Sequence, residues 1–359
     1  MTTNLFAPLQ MGPYTLANRI VMAPLTRNRA GAGNVPQAMN VEYYRQRASA
    51  GLIISEGSQI SPTAVGYLAT PGIHSPEQIA GWKQVTDAVH GRGGKIFLQL
   101  WHCGRVSHPS LQPGGILPVA PSAILSASQT FTPQGWQPLV TPRALETSEL
   151  PGIVADYRQA AQNSMAAGFD GVEIHAANGY LLDQFLRDGS NRRTDAYGGS
   201  LENRSRLLLE VTAAVTGVWG ADRIGVRFSP INSFNDMHDS DPQKTFDYMA
   251  TALNAFDLAY LHGMELDFGP DKPAFDFAQF RRCFKGPYMA NGGYDKARAE
   301  TALASGYADL VAFGVPFIAN PDLPERFATN APLNAPDQSS FYGGDEKGYT
   351  DYPFLDINP

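Results

Sequence analysis

The sequence predicts an α/β fold in which eight parallel strands and the helices between them close into a (β/α)8 TIM barrel. Short, nearly continuous apolar segments alternate with longer helical segments, which is typical of parallel β-α-β units. The apolar segments lack the alternation of a sheet with one face in water, so we expect both faces to be covered. About eight such units are present, the number that closes a barrel.

The predicted strands are short aliphatic runs bounded by Gly, Pro or polar residues. In chain order they are 19–25, 52–57, 95–100, 171–176, 224–229, 260–266, 287–291 and 309–314. The predicted helices are 39–50, 76–90, 149–167, 201–218, 243–256, 296–304 and 323–329. Pro76 suits the first turn of its helix because its missing N–H is not needed there. Gly168 is a typical residue at the end of a helix.

The 359 residues suit one barrel domain, 1–359, with insertions. The Pro- and Gly-rich segment 101–147 is expected to be a lid or capping excursion after the third strand rather than a second domain. The alternative architecture is an open doubly wound sheet, but no GxGxxG motif follows an early strand.

Composition excludes several classes of function. The net charge of −7 without a basic run argues against a nucleic-acid surface and against electrostatic membrane binding. Residues 1–12 do not resemble a signal peptide, and no apolar run reaches membrane-spanning length. Cys103 and Cys283 are the two cysteines, which fits a reducing cytoplasm.

No metal site is expected. The chain has no HxH or HExxH motif, and two cysteines are too few for a Cys-rich zinc or iron–sulfur site. The absence of GxSxG also gives no support to a serine hydrolase.

Glycines follow the last two predicted strands, at Gly292, Gly293 and Gly314. The loops at these positions form the usual phosphate site of this barrel, and glycine lets backbone N–H groups approach an anion. An ordinary turn is the alternative for a Gly-Gly pair alone. The additional glycine after the next strand favours a phosphate.

Arg227 and Gln99 are polar residues in apolar strands. A buried arginine must be paired or bind an anion, so a structural salt bridge and an anionic ligand are both open. The Gln99 amide can serve a heterocycle as donor and acceptor, or it can bond a neighbouring loop.

The motif HAANGY follows the fourth predicted strand and contains His175, Asn178 and Tyr180. His and Asn three positions apart can present two donors to one carbonyl oxygen. A tyrosine, with an ordinary pKa of about 10, stays protonated at neutral pH and can donate its proton. Each residue alone fits a capped turn with a core tyrosine, whereas the three at the end of a barrel strand indicate a site.

Segments spread over most of the chain resemble the old yellow enzyme family. They are NRIVMAPLTRNRA (18–30), SEGSQISPTAVGY (55–67), LQLWHCGR (98–105), GVEIHAANGYLLDQFL (171–186), YGGSLENRSR (197–206), VRFSP (226–230), FGVPFIANPDL (313–323) and FYGGDEKGYTDYP (341–353). Motifs of this length and order are specific. Thr26 stands where a related branch of the family carries Cys.

The resemblance implies an FMN site. Pro24, Leu25 and Thr26 would line one side of the flavin ring, and Gly57 would meet the ring through its backbone. Gln99 and Arg227 would bind the pyrimidine edge of the ring. The phosphate would be held by Asn291, Gly292, Gly293, Gly314 and Val315. The Thr26 hydroxyl would tune the ring, and a cation at the pyrimidine edge would stabilise the reduced flavin. One departure concerns position 315, where the family usually has Arg for the phosphate and this chain has Val315.

The resemblance also implies an ene-reductase. Hydride from NADPH or NADH would pass to FMN and then to the β-carbon of an α,β-unsaturated carbonyl or nitro compound. His175 and Asn178 would hold the substrate oxygen and Tyr180 would supply the proton, with Tyr67, Trp101 and Tyr342 lining the pocket.

Two other functions remain open at this point: a flavin-free barrel lyase or hydrolase, and a flavin-binding sensor or storage protein. We expect a cytoplasmic protein that is a monomer or small homo-oligomer and acts on small-molecule alkenes.

Overall fold

The protein is described by a computed structural model that covers residues 4–266 and 274–355. Within these residues, eight parallel strands close into a barrel in chain order, with the last strand paired to the first. They are β1 (Ile20–Met22), β2 (Leu52–Gln59), β3 (Ile96–Trp101), β4 (Gly171–His175), β5 (Ile224–Phe228), β6 (Tyr260–Met264), β7 (Tyr288–Asn291) and β8 (Leu310–Phe313). The predicted TIM barrel is therefore confirmed.

Helices follow the strands and cover the barrel. They are α1 (Ala38–Gln46), α2 (Pro76–His90), α3 (Leu150–Ala166), α4 (Leu201–Trp219), α5 (Pro242–Leu253), α6 (Phe277–Cys283), α7 (Lys296–Ala304) and α8 (Leu323–Thr329). The bounds of α2, α7 and α8 match their predictions, those of α1, α3, α4 and α5 shift by a few residues, and α6 was not predicted. Ser75 caps α2 by accepting from the Gln78 N–H. Gly168 follows α3 with a φ of +83°, as its predicted role requires.

Short elements escaped prediction because they hold too few residues to show a period. These are α6, the helices Leu181–Leu186 and Val315–Ala319, and the hairpin Leu9–Met11/Tyr14–Leu16. In the hairpin, Met11 and Leu16 pack with the interior residues Val21, Leu52 and Phe97. The hairpin therefore covers the end of the barrel at which the strands begin.

The segment 101–147 carries the hairpin Gln129–Thr132/Gly135–Pro138 and a short parallel pair, Val119–Ala120 with Arg143–Ala144. Its Leu139 packs in one cluster with Trp101 and Tyr180. The segment thus contacts the end of the barrel at which the strands finish. The predicted domain also includes 1–3, 267–273 and 356–359, which lie outside the described residues, so its single-domain organisation stays a prediction.

Candidate active site

Strand register collects polar side chains near the carboxyl ends of the barrel strands. His175 pairs in register with Arg227, and Arg227 with His262. Gln99 pairs with Glu173 on one side and with Gly57 on the other. The Gly57 pairing follows a register irregularity in β2 after Ile54, as at a β-bulge. This end of the barrel is where TIM-barrel active sites lie.

A cavity of about 700 Å³ opens at this end, within the range of small-molecule and cofactor sites. Most of the predicted site residues line it: Pro24, Leu25, Thr26, Asn178, Tyr180, Arg227, Asn291, Gly292, Gly293, Gly314, Val315 and Tyr342. The structure therefore brings together residues that range from Pro24 to Tyr342 along the chain.

The remaining predicted residues are not among those that line the cavity: Gly57, Tyr67, Gln99, Trp101 and His175. Three of these surround Tyr180. The centroid of its ring lies 5.0 Å from that of His175 and 4.9 Å from that of Trp101. Its hydroxyl lies 3.1 Å from the Tyr67 hydroxyl. These three side chains therefore pack around Tyr180, which lines the cavity, and the roles predicted for them stay predictions.

Gly57 is required by Trp101. A Cβ at position 57 would lie 2.6 Å from the Trp101 ring, closer than packed atoms approach. The glycine therefore lets the Trp101 indole pack closely against β2.

Glu173 organises the floor beneath the cavity. Its carboxylate accepts from Gln99 Nε2 at 2.8 Å, the Tyr260 hydroxyl at 3.1 Å and His262 Nδ1 at 2.8 Å. Burial raises the pKa of Glu173, but His262 and Arg227 more than offset this, so the pKa lies below its ordinary value. The ionised carboxylate holds the Gln99 amide by its nitrogen, so its oxygen is left as an acceptor.

Arg227 places a buried cation at the cavity. Its Nη2 donates to Asn291 Oδ1 at 3.0 Å, and Asn291 Nδ2 donates to the carbonyl of Ala312. Burial lowers the pKa of Arg227, opposed by the charge of Glu173, and a guanidinium keeps its proton at any physiological pH. Its buried Nε has no hydrogen-bond partner among the described residues. A buried cation that lines the cavity is thus left with one donor that has no partner.

His175 and Tyr180 are both neutral at physiological pH. Burial, and then the charges of Arg227 and His262, hold the pKa of His175 well below its ordinary value. Burial raises the pKa of Tyr180 well above 10. The buried Nδ1 of His175 has no partner within the described part of the chain. His175 therefore offers a neutral hydrogen-bonding group, and Tyr180 keeps its phenolic proton.

The glycine turn forms the other end of the cavity. Gly292 and Gly293 have φ values of +120° and +65°, which favour glycine. Val315 is 45% exposed at the cavity wall and brings no charge. A positive charge beside the glycine turn comes from Arg298 instead. Its Nη1 donates to the carbonyl of Gly292 at 2.9 Å, and its guanidinium stacks 3.9 Å above the Tyr294 ring.

Lys296, the other cation of α7, is turned away from the cavity. Its Nζ donates to the carbonyl of Phe327 at 2.6 Å. Of the two cations that follow the glycine turn, Arg298 alone contacts it in the described structure.

These features fit FMN. A buried cation with one unpartnered donor and a free amide oxygen suit the pyrimidine edge of a flavin, and a glycine turn beside an arginine suits a phosphate. In the described ranges, no group of three His, Cys, Asp or Glu residues is placed to hold a metal ion. No described helix is long and apolar enough to cross a membrane.

Sequence reasoning missed several residues of the site. Asn232, Phe234 and Tyr294 line the cavity from loops, where no periodic pattern exists to find them. Glu173 had a signal of the kind that identified Arg227, since it is an ionisable residue within an apolar strand.

The buried carboxyl group of Glu56, next to Gly57 in β2, should make the stability of the fold depend on pH. Burial raises its pKa from 4.5 to about 7, opposed by hydrogen bonds from the Arg27 N–H and the Tyr44 hydroxyl. Between these values the folded state holds a proton that the unfolded state releases, so this contribution to stability is lost as pH rises through about 7. The free energy of unfolding of wild type should therefore fall by about 3 kcal/mol, relative to that of Glu56→Gln, between pH 4.5 and 8.

Urea unfolding of both proteins across this pH range measures the difference. Glu42→Gln is the control, since the pKa of Glu42 is lowered beside Arg45. A stability difference between wild type and Glu56→Gln that does not change with pH would contradict the prediction.

Comparison with known proteins agrees with this geometry. Residues 4–334 match the model of the NADH:flavin oxidoreductase / NADH oxidase family. The chain is 49% identical over 360 residues to 12-oxophytodienoate reductase 1 of Oryza sativa subsp. japonica, covering 98% of this chain and 93% of the relative.

Solved structures share the whole fold. Morphinone reductase superposes with a TM-score of 0.96 at 53% identity, covering 99% of this chain and 98% of that one. The old yellow enzyme homologue from Zymomonas mobilis has a TM-score of 0.94 at 45% identity, covering 98% and 100%. The chain therefore belongs to the NADH:flavin oxidoreductase / NADH oxidase family, the old yellow enzymes, and is an FMN-dependent oxidoreductase.

Proposed function

We propose that the chain reduces the C=C bond of α,β-unsaturated carbonyl or nitro compounds, with NADPH or NADH as a transient reductant. The observation that carries this proposal is the arrangement of neutral His175, the Asn178 amide and protonated Tyr180 beside a cavity that ends in Arg227 and a glycine turn. The names of the relatives agree with it, since they are 12-oxophytodienoate and morphinone reductases, and one structure of the latter holds tetrahydroNAD.

FMN would be held by the residues that the sequence assigned to it. Pro24, Leu25 and Thr26 would lie along the ring, and Gln99 and Arg227 would meet its pyrimidine edge. When bound there, FMN would supply hydride transfer between the nicotinamide and the β-carbon of the substrate. The cation at Arg227 stabilises negative charge at that edge, which is the electrostatic contribution of the protein to such chemistry.

His175 and Asn178 would bind the substrate oxygen. Hydrogen bonds from both draw electron density from the carbonyl, which makes the β-carbon electrophilic. Because burial and Arg227 keep His175 neutral, it donates without bringing a full charge into the pocket.

Tyr180 would deliver a proton to the α-carbon. Its hydroxyl lies 3.1 Å from that of Tyr67, so the two phenols share a hydrogen bond. The raised pKa of Tyr180 keeps the proton in place until charge develops on the substrate. General acids placed in this way typically contribute 10²–10⁴-fold.

The visible spectrum tests the function. Purified protein should carry the absorption of FMN, lose it with NADPH and regain it with cyclohexenone. A colourless protein that cannot be reconstituted with FMN would favour a flavin-free lyase or hydrolase. A flavin protein that NADPH bleaches but no enone restores would favour a sensor or storage protein.

The proposal also covers the domain organisation, the cellular compartment and the oligomeric state. Residues 101–147 would cap the same domain, since Leu139 packs with Trp101 and Tyr180. The free cysteines, Cys103 and Cys283, suit a reducing cytoplasm. The protein would act on small molecules as a monomer or small homo-oligomer.

Arg298 would take the place of the arginine that the family usually carries at position 315. Its guanidinium lies beside the glycine turn, but its side chain is 50% exposed and also faces Glu265 at 3.5 Å, so part of its charge is screened. Arg298→Ala should weaken FMN binding about tenfold, as expected for one charge-assisted hydrogen bond. Val315→Arg should tighten it by a similar factor.

FMN fluorescence titration of the apoproteins measures these affinities. Lys296→Ala is the matched control, because this cation of the same helix points to Phe327 instead. Rising salt should reduce the gain in Val315→Arg. Equal affinity in Arg298→Ala and wild type would show that the backbone amides alone hold the phosphate.

A further inference from the structure

The Asn178 backbone is held in an uncommon conformation by the loop after β5. Its φ is +57°, a left-handed value that is uncommon for residues other than glycine, although asparagine adopts it more readily than most. Its N–H donates to Ser229 Oγ at 2.7 Å, and its carbonyl accepts from Asn235 Nδ2 at 2.8 Å. These contacts place the Asn178 side chain at the cavity.

The direction of the Asn178 amide is set separately, by Asn232. The Asn232 Nδ2 donates to Asn178 Oδ1 at 2.9 Å, across 54 positions of the chain. The Asn232 Oδ1 accepts from the backbone N–H of Phe234 at 3.1 Å.

The hydrogen bonds that link Phe234, Asn232 and Asn178 allow only one assignment of donors and acceptors. A backbone N–H can only donate, so the atom of Asn232 that faces Phe234 must be the oxygen. The nitrogen of Asn232 then faces Asn178, and the atom that it meets must be the Asn178 oxygen. The Asn178 nitrogen is therefore the edge left for the cavity, as a donor.

We propose that Asn232 is a positioning residue that fixes the Asn178 amide with its NH₂ toward the substrate oxygen. This inference rests on the proposed function, in which Asn178 binds that oxygen. Asn232 is 1% exposed, so its own orientation is held by packing as well as by Phe234. Without it, the Asn178 amide is free to turn its oxygen toward the substrate, where it would repel an oxygen instead of binding one.

A double-mutant cycle on phenol binding tests the inference. The FMN-loaded protein is titrated with a para-substituted phenol, and the dissociation constant is measured for wild type, Asn178→Ala, Asn232→Ala and the double variant. Asn232→Ala alone should weaken binding about tenfold. In the Asn178→Ala background the same change should alter it less than about twofold, because nothing remains to be oriented.

The outcomes separate the inference from the function on which it rests. If Asn178→Ala weakens binding but Asn232→Ala does not, or if the losses add, Asn232 does not act through Asn178 and the inference is wrong. If Asn178→Ala itself has no effect, the assignment of Asn178 to the substrate oxygen fails, and the inference fails with it.

Matched variants control for general damage to the fold. Asn232→Leu keeps much of the side-chain volume and should behave as Asn232→Ala. Asn254 accepts from the Lys285 N–H and donates to the Cys283 carbonyl, so Asn254→Ala removes a similar two-sided amide outside the cavity. It should leave phenol binding unchanged. Circular dichroism should be unchanged in both Asn232 variants. A loss of phenol binding that is accompanied by a loss of the circular dichroism signal would mean a structural role and overturn the inference.

Discussion

Replacing Tyr180 with Phe is expected to slow the oxidative half-reaction with cyclohexenone by about 10²–10⁴-fold. The reduction by NADPH should keep its rate, because that step needs no proton from the protein. The ring of Tyr180 packs against Trp101 and His175, and Phe preserves this packing. Stopped-flow absorbance of FMN, followed separately for reduction and reoxidation, measures both rates.

Tyr67→Phe is the matched control for this prediction. It removes the hydroxyl that lies 3.1 Å from Tyr180 but leaves the proton donor in place, so we expect a loss of no more than about tenfold. If Tyr180→Phe slowed both half-reactions equally, its role would be structural. A strongly activated nitroalkene should show a smaller loss than cyclohexenone, because water can then supply the proton.

The double variant His175→Ala/Asn178→Ala is expected to weaken phenol binding by about 10²–10⁴-fold. A phenolate oxygen takes the place of the substrate oxygen, and each hydrogen bond to a charged oxygen is worth roughly 1.5–3 kcal/mol, or about one to two decades in affinity. The readout is the long-wavelength charge-transfer band that a para-substituted phenol should produce in FMN-loaded protein.

The pH dependence of this binding follows from the state of His175. Its pKa lies well below the ordinary value, so it is already neutral at physiological pH. Affinity should therefore rise with pH only as the phenol itself ionises. His90→Ala, which removes a histidine paired with Asp170 outside the cavity, should change nothing. A wild-type protein that gives no band with any phenol would contradict the assignment of both residues.

Local patterns were sufficient to predict the barrel. Aliphatic runs indicate that a segment is buried on both faces, and residues such as Pro76 and Gly168 indicate where a helix starts or ends. Both signals depend only on neighbours in the sequence. The same reasoning placed Arg227 and the HAANGY motif at strand ends, because a parallel barrel brings all its carboxyl ends to one side. The family resemblance added a role for each residue.

The contacts that give those residues their chemistry were decided by the tertiary structure. The strand register sets Gln99 beside Glu173, and the irregularity in β2 sets Gly57 opposite Gln99. A loop 54 positions away orients Asn178. Hydrogen bonds between distant segments depend on register and loop packing, which no local period encodes. The sequence by itself thus determined the barrel and the end at which its site lies, whereas the packing of separate strands and loops decided which donor faces the substrate.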